Sequence, residues 1–302
     1  MIRISLIIAT YNRSAALLQA LESVVTQSLK SSEWECVVVN NHSTDNTTEA
    51  FHAFATHYPE LNLRLVEEPK QGLSHARNCG IQVAQGEILA FIDDDERINK
   101  EFLEAYLELF DRYPTCRAAG GRVIATYEES PRPDWMSPLT EQPIANPMHW
   151  GEAIGPFPRR RIPAGGNMAL RREIFEHYGC FNPALGRRGE QLIGGEESDL
   201  FERLRQGGEV ILYQPRAVMW HLIPARKLTF DYLDALSLQI GVSQRARAEI
   251  SERILHLRLG ELFKWGATLL LSLGYLLTLR PAKAGALCRM RYGISRGIFG
   301  AR

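Results

Sequence analysis

Residues 86–99 read GEILAFIDDDERIN. Five apolar residues, 88–92, stand between Gly86 and the acids Asp93, Asp94, Asp95 and Glu96. A run that short, bounded by glycine and by charge, predicts a buried strand rather than a core helix. Ligands of open α/β sheets bind beyond the carboxyl ends of the strands, so the four acids fall on the rim that a ligand would meet. Acids packed into one turn repel each other unless a cation or basic groups neutralise them. Hard oxygen donors that leave waters in place suit Mg²⁺ or Mn²⁺, above all when a substrate phosphate completes the shell. A solvated acidic turn with a helix N-cap among Asp95, Glu96 and Asn99 would use the same residues.

Working outward, residues 2–10 (IRISLIIAT) and 34–40 (WECVVVN) predict buried parallel strands, and 61–67 (LNLRLVE) a weaker third. Helical spacing of Leu17, Leu18, Leu21, Val24 and Val25 predicts a helix to about residue 29, capped by Asn12 or Ser14. Further helices are expected from the polar turn 42–47 to about 57, over 73–84 with Ser74 as cap, and over 100–113. The alternation argues for a doubly wound, mostly parallel sheet of right-handed crossovers with helices on both faces. Residues 117–126 predict a strand. Residues 128–163, rich in proline, read as one long loop, which Trp135, Trp150 and Arg159, Arg160 and Arg161 make an ordered, ligand-facing one. Regular structure is expected again at 164–175, as a helix at 196–206 and as a strand at 209–213, with Trp220 and His221 just past the next extended stretch.

A chain of 302 residues with 45% apolar content holds one large α/β domain and an appendage. Its 35 basic and 35 acidic residues cancel, which gives no bulk drive toward nucleic acid. Five scattered cysteines without a CxxC pair suggest reduced thiols in a cytosolic protein. No signal peptide is expected, since the apolar run at 4–9 leads directly into Tyr11, Asn12 and Arg13. The expected domains are 1–225 and a helical extension, 226–302. Within the extension, residues 265–279 (WGATLLLSLGYLLTL) carry no charge and are bracketed by Lys264 and Arg280. Fifteen residues fall short of the ~20 that a spanning helix needs. With Arg289, Arg291 and Arg296 downstream, 257–302 suits a helix lying on an anionic membrane face, the alternatives being a buried core helix or an oligomer contact.

Four polar sets follow predicted strands or turns: Thr10-Tyr11-Asn12, Asn40 to Asp45, the acids at 93–96, and GGEESDL at 194–200. Each alone is weak. Together with GLSHARNCGI and GGNMALRR, their order resembles the family 2 glycosyltransferases of the GT-A fold, over roughly residues 2–221. The resemblance implies an inverting transferase that moves a sugar from a nucleotide diphosphate to an acceptor. It sets Thr10, Tyr11, Asn12 and Asn40 along the nucleobase, Arg77 near the diphosphate or base, and Asp93 and Asp94 with the nucleotide. Asp93 and Asp95 match the DxD pair for ribose and metal, His221 a histidine that some members place on the metal or diphosphate. Gly165, Gly166 and Asn167 would line the sugar pocket, and Glu197 stands where the family keeps its catalytic carboxylate.

Two departures stand out. Asn40 replaces the usual aspartate, and an amide still accepts while adding donors. Glu197 replaces aspartate beside Glu196, which leaves either as the base. The chemistry needs a divalent ion as Lewis acid for the departing diphosphate and a base for the attacking hydroxyl. One displacement with one base inverts the anomeric carbon. A carboxylate pair such as Glu196/Glu197 raises one pKa by repulsion. Taken without context, Glu197 is a helix N-terminal acid, Arg77 a surface ion pair and His221 a core histidine. The implied donor is a nucleotide-sugar, a UDP-sugar first, and the acceptor a glycan or lipid-linked hydroxyl at the cytoplasmic face of a membrane. A polyprenyl-phosphate sugar synthase is a narrower variant. A nucleotidyltransferase lacks support because TYNRS is no phosphate-gripping loop, and a non-catalytic nucleotide-sugar binder would bind without turnover.

Overall fold

The structure, a computed structural model, describes residues 1–127, 130–187 and 194–300. Residues 128–129, within the stretch read as a loop, and 301–302 of the basic tail lie outside the described residues. Two compact units emerge, one of residues 1–124, 148–187 and 196–221, the other of 125–127, 130–147, 194–195 and 222–300.

The first unit is a sheet with helices. Its leading half alternates β1 (Ile4–Thr10), α1 (Ser14–Val24), β2 (Trp34–Asn40), α2 (Thr47–Ala55), β3 (Leu63–Glu67), α3 (Leu73–Val83) and β4 (Ile88–Asp93). These strands lie side by side in the order β3-β2-β1-β4, all parallel. β2 is buried along its whole length and β1 nearly so, as apolar runs such as residues 6–9 and 37–39 require of strands covered on both faces. After β4 the direction reverses. β8 (Met168–Arg171) runs antiparallel to both β4 and β6 (Ala118–Thr126), and β9 (Ile211–Leu222) continues the sheet. The acidic turn leads directly into β5 (Glu96–Ile98), a short strand antiparallel to β9, before α4 (Phe102–Arg112) begins. The sheet is therefore mixed, parallel on the side that carries β1 to β4. α6 (Glu173–Tyr178) and α7 (Glu196–Gln206) complete the unit.

Several local expectations are corrected. Neither Asn12 nor Ser14 caps α1, whose first turn is held by the Asp45 carboxylate accepting from the Ser14 amide at 3.2 Å. α3 starts after Gly72, and the Ser74 hydroxyl instead donates to the Leu185 carbonyl at 2.7 Å. Trp220 and His221 lie inside β9, not beyond it. The long proline-rich stretch contains α5 (Pro138–Ala145) and the two-residue strand β7 (Gly155–Pro156). A capping box starts α5: the Ser137 amide donates to the Thr140 hydroxyl at 2.8 Å and the Thr140 amide to the Ser137 hydroxyl at 3.3 Å. Pro138 in the first turn costs nothing there, because its missing N–H would have had no helical partner.

In the second unit α5 joins α8 (Phe230–Ile250), α9 (Ile254–Leu277) and α10 (Pro281–Phe299) around Met136, Ile144, Leu233, Leu287, Met290 and Ile294. Residues 265–277 prove to be the later part of the 24-residue α9. No helix among the described residues is long and apolar enough to cross a membrane.

Candidate active site

Parallel pairing sets the ends of three strands in one row. Thr10 pairs in register with Asn40, and Asn40 with Glu67. Asn40 is buried, and its amide nitrogen donates to the Glu67 carboxylate at 3.1 Å and the Thr48 hydroxyl at 3.0 Å. Its oxygen accepts from the Ser43 amide at 3.1 Å. An aspartate at position 40 would oppose Glu67 with like charge; the amide turns repulsion into a hydrogen bond. Glu67 is exposed at the rim, and sequence reasoning passed over it as the tail of a weak strand. Asn41, which the sequence placed in the polar set without a role of its own, donates to the Glu68 and Lys70 carbonyls and accepts from the Gly72 amide at 2.7 Å, tying the start of α3 to β2. Asn12 sits at φ 50°, a conformation asparagine tolerates better than most residues. Its side-chain oxygen accepts from the Thr44 amide at 2.6 Å, and its own amide donates to the Ser43 hydroxyl at 2.9 Å. Half-buried Tyr11 lies between these anchored neighbours.

The acidic turn divides by burial. Asp94 is buried, accepting from the Thr10 hydroxyl at 2.9 Å and from Arg13 at 2.6 Å. Burial pushes its carboxyl up to about 6 although Arg13 pulls the other way. Glu96 is buried too, accepts from the Asp93 amide at 2.8 Å, and is held well above the usual carboxylate range by burial and by Asp93 and Asp95. Asp93 and Asp95 keep side-chain exposures of 36% and 17%, with Arg77 3.0 Å from the first and Arg13 3.1 Å from the second. Alternate acids thus serve the fold and the rim. In β9, His221 stands in register with Glu96.

Arg77 is the hub. Its side chain is 2% exposed and lies 5.5 Å from the centre of the Phe181 ring. One guanidinium nitrogen donates to Glu196 and Glu197, each at 3.0 Å, the other to Asp93 at 3.0 Å. Burial disfavours its charge, but the three carboxylates outweigh that and raise its pKa. The reading of Arg77 as a surface ion pair is therefore corrected: it is a buried cation. The adjacent acids diverge. Burial and the charge of Glu197 lift Glu196 to about 8, and its second oxygen has no hydrogen-bond partner among the described residues. Burial acts on Glu197 in the same sense, but Arg77 outweighs it and lowers the pKa. Glu197 also keeps 20% of its side chain exposed, against 2% for Glu196.

Two glycines let the 164–167 turn close on these acids. A Cβ at Gly165 would collide with the Glu197 carboxylate, and one at Gly166 with that of Glu96. Asn167 is wholly buried: its oxygen accepts from the Tyr106 hydroxyl at 2.6 Å, and its nitrogen donates to the carbonyls of Arg122 at 2.8 Å and Ala217 at 3.1 Å. Its side chain anchors the turn from below, so the two glycines are what the turn presents to the acids.

Strand register, the acidic turn, Arg77 and the head of α7 thus bring together Thr10, Asn40, Arg77, Asp93, Gly165, Glu196 and Glu197. Among the described residues there is no ready-made group of three or more His, Cys, Asp or Glu that could hold a metal ion. Asp93 and Asp95 still offer hard carboxylate oxygens at the rim, a donor set that fits Mg²⁺ or Mn²⁺, which retain waters and share substrate phosphates.

Residues 5–179 match the model of Glycosyl transferase family 2. Two relatives come from Haloferax volcanii. Glucosyl-dolichyl phosphate glucuronosyltransferase is 24% identical over 256 residues, covering 80% of this chain and 76% of the relative. Glycosyltransferase AglE is 29% identical over 241 residues, covering 80% and 72%. Among solved structures, the mannosyltransferase PcManGT from Pyrobaculum calidifontis, in complex with GDP-Man and Mn²⁺, superposes with a TM-score of 0.66 at 21% identity, covering 99% of this chain and 88% of that one. S. aureus TarS 1-349 in complex with UDP gives 0.56 at 16% identity, covering 99% and 92%.

Proposed function

The chain belongs to glycosyl transferase family 2 and has the GT-A fold, and on that premise we propose that it moves a sugar from a nucleotide-diphosphate donor, a UDP-sugar first, to a glycan or lipid-linked hydroxyl with inversion. The observation that carries this reading is the division of labour at Arg77. One guanidinium holds both acids at 3.0 Å, Glu197 partly exposed with its pKa lowered by Arg77 and Glu196 buried with its pKa raised to about 8.

Glu197 is the base that takes the proton of the attacking hydroxyl. Glu196 is a positioning residue, confined behind it. A donor phosphate that draws the Arg77 guanidinium toward itself weakens the hold on Glu197 and so strengthens the base as the donor arrives. Displacement with this one base inverts the anomeric carbon. Thr10, Tyr11 and Asn12 line the nucleobase, Asn40 orients Glu67, and Glu67 supplies the acceptor that an aspartate at position 40 would have given. Asp94 reaches the nucleotide only through Thr10 and Arg13, and Asn167 reaches the sugar pocket only through Gly165 and Gly166. Asp93 and Asp95, with His221 in the neighbouring strand, are the residues that would hold Mg²⁺ or Mn²⁺. When bound, the ion supplies Lewis-acid neutralisation of the departing diphosphate.

The relative named for a dolichyl phosphate substrate supports a lipid-linked acceptor, and attachment to the cytoplasmic face of a membrane through 257–302 belongs to the same reading. The test is Glu197→Gln. Donor binding, read as a thermal shift with UDP-sugar and Mn²⁺, is expected to persist while transfer falls about 10²–10⁴-fold. Normal turnover by this variant overturns the base assignment. Donor binding by the unaltered protein without turnover on any glycan or lipid-linked acceptor would instead mark a non-catalytic binder.

A further inference from the structure

The polarity of α9 is reversed. Its three buried residues, Glu261, Thr268 and Ser272, are all polar. They face a polar seam on α10: Arg291 donates to the Glu261 carboxylate at 3.2 Å and to the Thr268 hydroxyl at 3.3 Å, and Ser295 donates to Glu261 at 2.8 Å. The Trp265 indole N–H donates to the Ser295 hydroxyl at 2.9 Å, and the Ser272 hydroxyl lies 3.3 Å from Cys288 Sγ. The opposite side is hydrocarbon. Of the 19 large apolar side chains exposed among the described residues, 11 fall within residues 255–279, including Phe263 at 82%, Leu270 at 73% and Leu277 at 77%. A helix facing water carries its apolar stripe inward. This one satisfies its polar groups inside and shows leucine outside, which is the arrangement a lipid environment selects.

We propose that α9 beds this leucine face in an anionic membrane surface, lying along it rather than crossing it. Three observations choose this occupant. At about 100° per residue, the exposed leucines at 269–277 sweep about 220° of the helix, whereas one packed helix covers a stripe of about 100°. A second copy would leave much of that arc in water, and lipid covers all of it. The uncharged stretch between Lys264 and Arg280 is about 24 Å long at 1.5 Å per residue, short of the ~30 Å hydrocarbon core. Finally, the neutral total charge hides a segregation: residues 222–302 carry 13 Lys and Arg against 5 Asp and Glu, while residues 1–221 carry 22 against 30. The excess of positive charge thus lies in the segment with the exposed leucines, where anionic headgroups complement it.

This deepens the membrane attachment proposed above and is independent of the chemistry, because vesicle binding needs neither donor nor Glu197. The experiment is flotation of the full chain with phosphatidylglycerol vesicles and with phosphatidylcholine vesicles, at low and high salt. Expected is co-flotation with phosphatidylglycerol, weakened several-fold by salt and by phosphatidylcholine. Leu270→Glu/Leu277→Glu, at two exposed sites, should reduce partitioning at least tenfold with an unchanged circular-dichroism melt. The proposal is overturned if neither vesicle floats the protein or if the double variant floats like the parent. It is equally overturned if light scattering finds a dimer that the double variant dissociates without any vesicle binding, which would assign the face to a second copy.

Discussion

Glu196 gives the residue scale its sharpest consequence. Burial and the neighbouring charge of Glu197 hold its carboxyl at about 8, against an ordinary 4.5. In the unfolded chain it ionises at the ordinary value, so between the two the native state binds an extra proton. Stability must therefore fall as pH rises from about 4.5 to about 8 and level off above that. Glu196→Gln keeps the shape and removes the titration. Calorimetric melting at pH 5, 6.5 and 8 should show a smaller fall for the variant than for the parent; parallel curves would mean that Glu196 is ionised in the native protein. The motif GGEESDL marked both glutamates, but no sequence feature said which would be buried. That follows from Arg77, which arrives from a helix about 120 positions earlier and pairs with both. Similarly, DDDE marked four acids, while the choice of Asp93 and Asp95 for the rim depends on Thr10 and Arg13 taking Asp94 inward.

At the scale of elements, the parallel register of β1, β2 and β3 aligns Thr10, Asn40 and Glu67 in one row. If Glu67 reads the base, Glu67→Gln should raise KM for the donor about tenfold or more, because a hydrogen bond to a charged group contributes about 1.5–3 kcal/mol, while kcat changes little. Steady-state kinetics with a UDP-sugar decides it, and an unchanged KM removes Glu67 from the base site. The strands themselves were legible in unbroken apolar runs such as VVV and ILAFI, since a strand buried on both faces has no polar alternation to blur. α5 was not legible. Its prolines suggested a loop, yet Pro138 is harmless in a first turn, and the capping box of Ser137 and Thr140 outweighs Pro143 within the helix. β5 escaped notice because a three-residue strand exists only through its pairing with β9.

For the molecule as a whole, if the proposed donor and ion bind the folded chain and not the unfolded one, together they raise the melting temperature. Ligand at about 100 times its Kd contributes about 2.7 kcal/mol. A UDP-sugar with Mn²⁺ should shift the transition upward, and chelation should abolish most of that shift; an equal shift in the presence of chelator argues against Asp93 and Asp95 as metal ligands. Sequence by itself determined the alternating strands and helices, the acids at a strand end, the glycines at 165 and 166, and an apolar run too short to span a bilayer. These are local patterns, fixed by burial, spacing and backbone freedom over a few residues. Tertiary structure alone decided that Arg77 is a buried hub, that Asn40 is coupled to Glu67, that Asn167 serves the fold, and that α9 turns its leucines outward. Each of these depends on partners distant in the chain, and a side chain's charge and exposure are set by what folding brings beside it.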